Sequence, residues 1–281
     1  MQPILSVHNL NKYYGNQVGC KNMNLTLYPG EVVGVVGESG SGKTTFINSI
    51  SGNLIPDSGK ILIETGNETI DFLEISESLK RLLIRTELAF VHQNPRDGLR
   101  LDVSAGGNIS ERLMSIGQRN YGNIRQTIFK WLDKVEIDKS RVDDFPRTFS
   151  GGMLQRLQIA KNLVTSPKII FMDEPTGGLD VSVQAKILDL LRKLVRELNL
   201  SVVIVSHDLA VIRLLADKII VMKNGEAVES GLCDQVLDDP QHSYTQLLVC
   251  LLYTSPSPRD QRGSGVAGGW WEKKRGGGGG G

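Results

Sequence analysis

Lys43 and Thr44 close the octet Gly37-Glu38-Ser39-Gly40-Ser41-Gly42-Lys43-Thr44, which fits the pattern GxxxxGK[ST] of a Walker A loop. Glycines let successive backbone N–H groups turn inward and face phosphate oxygens. A helix opening at the end of such a loop adds its own unpaired donors and the positive end of its dipole. The pattern predicts a nucleoside triphosphate site in which Lys43 reaches the β- and γ-phosphates and Thr44 places its hydroxyl on Mg2+, with Thr45 beside it on the first helical turn. The second half of the chemistry lies in Ile169-Ile170-Phe171-Met172-Asp173-Glu174, four apolar residues followed by two acids. Asp173 is placed to hold the magnesium through water, and Glu174 to orient or deprotonate an attacking water. Two adjacent carboxylates alone would equally make a solvated turn. Beside the glycine loop they complete a hydrolytic site.

Those groups need a scaffold that holds them at one edge. Glu31 to Val36 is a β-branched, mostly apolar run that predicts a central strand buried on both faces, with the glycine loop at its end and a helix from near Lys43. From Lys168 the chain reads strand (Ile169 to Met172), helix (Val183 to Leu198), strand (Ser201 to Ser206), an order that demands a parallel sheet with right-handed crossovers. Ligands of open α/β sheets bind outside the carboxyl ends of the strands, where the loop and the acids both fall. Ile4 to Leu10 and Asn22 to Leu27 alternate apolar and polar residues and predict half-buried strands. Asn224-Gly225 predicts a hairpin turn. The middle, roughly Pro95 to Ala160, reads as helical. Ile124, Ile128, Trp131, Leu132 and Val135 there share one face, a core-packing stripe.

Bulk properties narrow the partners. Lys plus Arg number 32 against 31 Asp plus Glu, a balance that speaks against a chain held to nucleic acid by bulk charge. Cys20, Cys233 and Cys250 are far apart without CxxC spacing, so free thiols in a reducing cytoplasm are expected rather than a zinc site or disulfides. No apolar run approaches the ~18–20 residues of a membrane span, and the N-terminus lacks the pattern of a signal peptide. The expected location is cytoplasmic, with contact to the inner membrane only through a partner. Residues 254–281 combine Ser-Pro repeats, Trp270-Trp271 and a glycine run, a composition that cannot bury a core and predicts disorder. Leu251 to Asp260 resembles a translated sequencing-adapter read-through, so this tail is expected to be non-native and the genuine chain to end near Val249.

Phe149-Ser150-Gly151-Gly152-Met153, followed by Gln155-Arg156, resembles the signature motif of the ATP-binding cassette superfamily and stands where that family has it, shortly before the acidic strand. A serine and two glycines at a helix N-terminus make an anion-binding end. The resemblance implies that Ser150, Gly151 and Gly152 serve the γ-phosphate of a nucleotide held by a second cassette, in a homo- or heterodimer. Further positions match. Tyr14, before Gly15, resembles the aromatic that stacks on adenine. Gln93 resembles the glutamine that touches Mg2+ and water, Asp180 the loop that crosses the dimer interface, and His207 the histidine that contacts the γ-phosphate. Asp180 reads equally as a helix N-cap. The resemblance implies an α/β P-loop NTPase with a RecA-like core, an N-terminal antiparallel β subdomain and an inserted α-helical subdomain. It covers 4–249, with the helical subdomain at about 95–160, and its cofactors are ATP and Mg2+. Two departures are visible: Met153 replaces the usual glutamine, and Gly177-Gly178 the usual Ser-Ala. Neither removes a phosphate ligand.

Within the superfamily, His92 to Arg100, Val103 to Ile109 and Asp173 to Ala185 are similar to the ATP-binding subunits of the bacterial carbon–phosphorus lyase system, which breaks down phosphonates. That implies docking on a soluble lyase core. Asp239-Pro240-Gln241-His242-Ser243-Tyr244-Thr245 is similar to dipeptide and oligopeptide importer cassettes, which implies a transmembrane permease partner instead. Pro95 to Met114, beside the Gln93 loop, is the region where the two would differ. A P-loop kinase or GTPase would share Gly37 to Thr44 but gives no reason for Ser150 or His207.

Overall fold

The computed structural model describes residues 2–66 and 68–254, with side chains as far as residue 250. At its centre lies β3 (Val32–Val36), hydrogen-bonded in parallel to β8 (Ser201–Val205) on one side and to β9 (Lys218–Lys223) on the other. Beyond β8 follow β7 (Ile169–Asp173) and β6 (Leu88–Val91), both parallel, while β10 (Glu226–Leu232) closes the opposite edge antiparallel to β9. The six strands run in the order β10-β9-β3-β8-β7-β6. Asn224, at a left-handed φ of 50°, and Gly225 form the β9–β10 turn as their types demand.

Both faces of this sheet are covered, which explains its near-continuous apolar strands. Ile170, Met172, Val202 and Ile204 join one core with the helices, while Ile169, Phe171, Val203 and Val205 alternate into the other. On that second face lie α1 (Lys43–Ile50) and an antiparallel sheet of order β2-β1-β4-β5, built from β1 (Leu5–Tyr14), β2 (Gln17–Leu27), β4 (Ser58–Glu64) and β5 (Thr69–Asp71). The β1–β2 strands are longer than the alternating stretches indicate. Register shifts let them bend past polar residues and turn tightly at Gly15. Helix α2 (Glu77–Thr86), N-capped by Ser76, buries Leu83 and packs Leu79 partly buried against the same core.

Between β6 and β7 the chain forms α3 (Ala105–Ser115), α4 (Tyr121–Lys134), two short 3-10 turns and α5 (Gly151–Leu163). Trp131 is buried with Ile124, Ile128 and Leu132 as core, as the stripe predicts. Helix α6 (Val181–Leu198) begins two residues earlier than its apolar periodicity indicates, because the Asp180 carbonyl already accepts from the N–H groups of Val183 and Gln184. The remaining helices are α7 (Leu209–Leu215), α8 (Cys233–Asp238) and α9 (Ser243–Thr254). Apart from Thr254, the tail expected to be disordered lies outside the described residues. None of the three cysteines is in a disulfide among the described residues; Cys20 and Cys233 are buried and Cys250 is exposed. No helix among the described residues is long and apolar enough to cross a membrane.

Candidate functional site

Strand β3 delivers the glycine loop at its carboxyl end. Gly42 ends that loop at φ 99°, a left-handed conformation, and a side chain there would collide with the carbonyl oxygen of Gly19. The loop rests on the β9–β10 turn through Gly225 N–H donating to Ser41 O at 2.9 Å. Helix α1 follows with no side chain capping its N-terminus, so its first-turn amides remain available to a ligand. The Lys43 ammonium is turned back into the loop, donating to the carbonyls of Gly37 and Glu38, each at 2.8 Å. Burial pushes its pKa below the ordinary lysine value, against the pull of Glu174, Asp173 and Glu38.

Strand β7 delivers the acids. Asp173 is buried and accepts from the Thr44 hydroxyl at 3.4 Å. Burial raises its pKa above the ordinary aspartate value, and the Thr44 hydrogen bond offsets only part of the effect. A carboxyl with a raised folded-state pKa binds its proton more tightly folded than unfolded. Its contribution to stability therefore declines as pH rises from the unfolded value of about 3.9 through the raised folded value. At neutral pH the charged Asp173 destabilises the nucleotide-free protein. Asp173→Asn is expected to melt higher than the parent without ligand, by roughly 2–4 °C per kcal/mol relieved. A lower melting temperature in calorimetry would contradict this.

Glu174 stands at φ 44°, left-handed for a residue with a Cβ. Such strain costs of order 1–3 kcal/mol and collects where side-chain aim matters. Its Oε2 accepts from Gln93 Nε2 at 3.0 Å, and its Oε1 lies 3.1 Å from His207 Nδ1. Gln93 follows β6 and His207 follows β8, so loops at three adjacent strand ends converge on one carboxylate.

These groups share a cleft of about 560 Å3. Its wall takes in Ser39, Gly40, Gly42, Lys43, Thr44, Thr45, Gln93, Glu174 and His207. Tyr14 also lines it, 49% exposed, with the Lys12 ammonium 5.9 Å from its ring centre; Tyr13 does not line it. Gly37, Glu38 and Ser41 are not on the wall, and the first two supply carbonyls to Lys43. Ser150, Gly151, Gly152 and Asp180 are not on this wall at all. Ser150 caps α5, accepting from Met153 N–H at 3.4 Å. Gly152 packs so closely on Val183 that a Cβ would sit 2.6 Å from it. Asp180 occupies the N-cap position of α6, but its exposed side chain makes no capping bond.

Some positions escaped the sequence reading. Gln17, Val18 and Gly19 also line the cleft, with Gly19 against the loop at Gly42, and nothing in their types announces a ligand. Tyr244, buried on α9, accepts from Glu38 N–H at 3.0 Å and lies under the Lys223 ammonium, 4.7 Å from its ring. Its signal was the Asp239–Thr245 string, anchored by the N–H groups of Gln241 and His242 on Glu229. Thr44 and Asp173 bring two hard oxygen donors together, 3.4 Å apart. No cluster of three or more His, Cys, Asp or Glu ligands exists among the described residues. One carboxylate beside one hydroxyl suits Mg2+, which is held by one or two carboxylates plus substrate phosphates.

A fold with a phosphate loop, an acidic strand end and a capped Ser-Gly-Gly helix defines an ATP-binding cassette. Residues 20–177 match the family model described as ABC transporter, and the chain belongs to that family as an ATP-hydrolysing cassette. It is 62% identical over 248 residues to the putative phosphonates utilization ATP-binding protein PhnK of Escherichia coli (strain K12), covering 88% of this chain and 97% of the relative. The dipeptide transport ATP-binding protein DppD of the same organism is 36% identical over 253 residues, 88% of this chain and 77% of DppD. Among solved structures, the post-hydrolysis dimer of the ATP-binding cassette MJ0796 bound to ADP and Pi superposes with a TM-score of 0.73. It shares 30% identity over 82% of this chain and 98% of its own. The cassette cbiO1 from Clostridium perfringens gives the same TM-score at 29% identity, over 85% and 92%.

Proposed function

We propose that this chain is the ATP-binding subunit of a phosphonate-degrading carbon–phosphorus lyase system, working as a dimer of cassettes that closes on ATP. The observation that carries the hydrolytic reading is Glu174, held between Gln93 and His207 at the mouth of the phosphate loop. ATP enters with adenine on Tyr14 and phosphates on the amides of Ser39 to Thr45, and Lys43 exchanges its loop carbonyls for the β- and γ-phosphates. Thr44, Asp173 and Gln93 would hold Mg2+, which neutralises charge on the triphosphate. Glu174 takes a proton from water while His207 contacts the γ-phosphate, and the water attacks phosphorus in line as the bond to ADP breaks. Ser150, Gly151 and Gly152, which do not line this cleft, serve the partner's nucleotide, with Asp180 at the crossing loop. The working unit is 4–249, and the helical part at about 95–160 faces the partner.

The phosphonate assignment rests on the gap between 62% identity to PhnK over 97% of its length and 36% to DppD over 77%. The Asp239–Thr245 string favours a second reading, the cassette of a peptide importer whose partner is a membrane permease. Affinity purification of the tagged chain from a phosphonate-grown source, with mass spectrometry, separates the two. Recovery of soluble lyase subunits is expected, and recovery of a multi-span membrane protein in their place would overturn the assignment.

A further inference from the structure

Gln158 does not line the cleft, yet its side chain is fully enclosed and makes two hydrogen bonds to one residue. Its Oε1 accepts from His92 N–H at 2.6 Å, and its Nε2 donates to His92 O at 3.2 Å. His92 is the residue between the end of β6 and Gln93. Because β6 is the edge strand of the six-stranded sheet, the amide of Gln158 stands where a further strand would offer its peptide group. A third bond, from Gln158 Nε2 to Gln155 Oε1 at 3.3 Å, fixes the amide's orientation. Three residues on, Lys161 Nζ donates to Gly98 O at 3.1 Å, so α5 holds the loop from His92 to Gly98 at both ends.

We infer that Gln158 is a positioning residue that couples the signature end of α5 to the water-orienting pair Gln93–Glu174 of the same chain. The inference rests on the roles proposed above for Ser150, Gln93 and Glu174. Ser150 caps α5, and Gln158 lies eight positions along, about 12 Å at the rise of an α-helix. A helix transmits displacement as a rod. When Ser150 to Gly152 take up the partner's γ-phosphate, the movement of α5 reaches His92 through two short bonds. Gln93, next in the chain, then shifts against the carboxylate it touches at 3.0 Å. Each nucleotide thereby prepares the catalytic water of the opposite site.

Gln158→Met keeps the volume and removes both bonds. The full chain is expected to bind a fluorescent ATP analogue with unchanged Kd, to lose ~3- to 30-fold in kcat at constant KM, and to hydrolyse with a Hill coefficient near 1. Gln158→Glu supplies a second readout. Its carboxylate repels His92 O, whereas its protonated form donates to that oxygen and accepts from His92 N–H as the amide does. Its kcat relative to the parent should therefore recover as pH falls through the raised pKa of a buried glutamate, and this profile decides the matter if the methionine variant does not fold. A folded Gln158→Met with parental kcat and Hill coefficient overturns the inference, as does a Gln158→Glu profile parallel to the parent's. Glu174→Gln measured alongside separates the causes. If that variant turns over normally, the reading of the site itself fails; if it is inactive while both Gln158 variants behave as the parent, only the coupling fails.

Discussion

Glu174→Gln is expected to bind ATP as the parent does and to hydrolyse it at least ~100-fold more slowly, the scale on which a positioned general base acts. Binding survives because the affinity comes from the glycine loop and Lys43, whose bonds the substitution does not touch. Local structure survives because glutamine keeps the size and one acceptor. Its carbonyl can take the Gln93 amide, and its NH2 can face His207 Nδ1 once the imidazole carries its proton on Nε2. What is lost is the second carboxylate lone-pair site, the one that accepts a proton from water. The left-handed backbone at φ 44° is kept by both residues, so the strain that aims the side chain is unchanged. The variant should also hold its dimer closed on ATP, since the γ-phosphate bridge is no longer removed. Single-turnover hydrolysis with size-exclusion chromatography reads both effects. Turnover within a few-fold of the parent would remove Glu174 from the role of base.

The parts of this molecule that were legible in the sequence are those whose constraint is local. Gly42 must adopt a conformation closed to side chains and stand against Gly19, so the loop declares itself by composition. Strands β3, β7 and β8 declare themselves because both faces are buried, which forbids polar interruptions. Asp173 and Glu174 stand out as the point where such a run stops. Less legible were contacts made by closure of the chain on itself. Gln158 meets His92 across 66 positions, and Tyr244 meets Glu38 across 206. A buried glutamine or tyrosine within an apolar helix carries no mark of the backbone group it will satisfy. The signature turn is intermediate. Its helix cap can be read locally, but its absence from the cleft wall is set by where the folded chain carries α5. Helix α2 carries local marks too, since Ser76 caps it by accepting from Leu79 N–H and Leu79, Leu82 and Leu83 recur at helical spacing, although only Leu83 is buried.

Lys43→Ala is expected to weaken ATP binding by ~10- to 100-fold, the value of one hydrogen-bonded contact to a charged group, about 1.5–3 kcal/mol at 1.4 kcal/mol per decade. The bonds of Lys43 to Gly37 O and Glu38 O set what the ligand must replace. Burial has already lowered its pKa, so the ammonium lies in surroundings that disfavour charge, and a triphosphate entering the cleft restores the lost stabilisation. The differential between phosphate and carbonyl partners, rather than the full attraction of the cation, is what the substitution removes. Alanine also leaves both carbonyls without their donor, which costs folding stability independently of ligand. Binding must accordingly be measured on protein shown to be folded by its melting transition. If folded Lys43→Ala titrates with parental affinity in isothermal calorimetry with Mg2+ present, the phosphates do not lie where the loop invites them. The same measurement on Thr45→Ala, whose hydroxyl is not needed for phosphate contact through its backbone N–H, should differ little from the parent. The contrast between the two substitutions distinguishes loss of one fixed cation from general damage to the opening turn of α1.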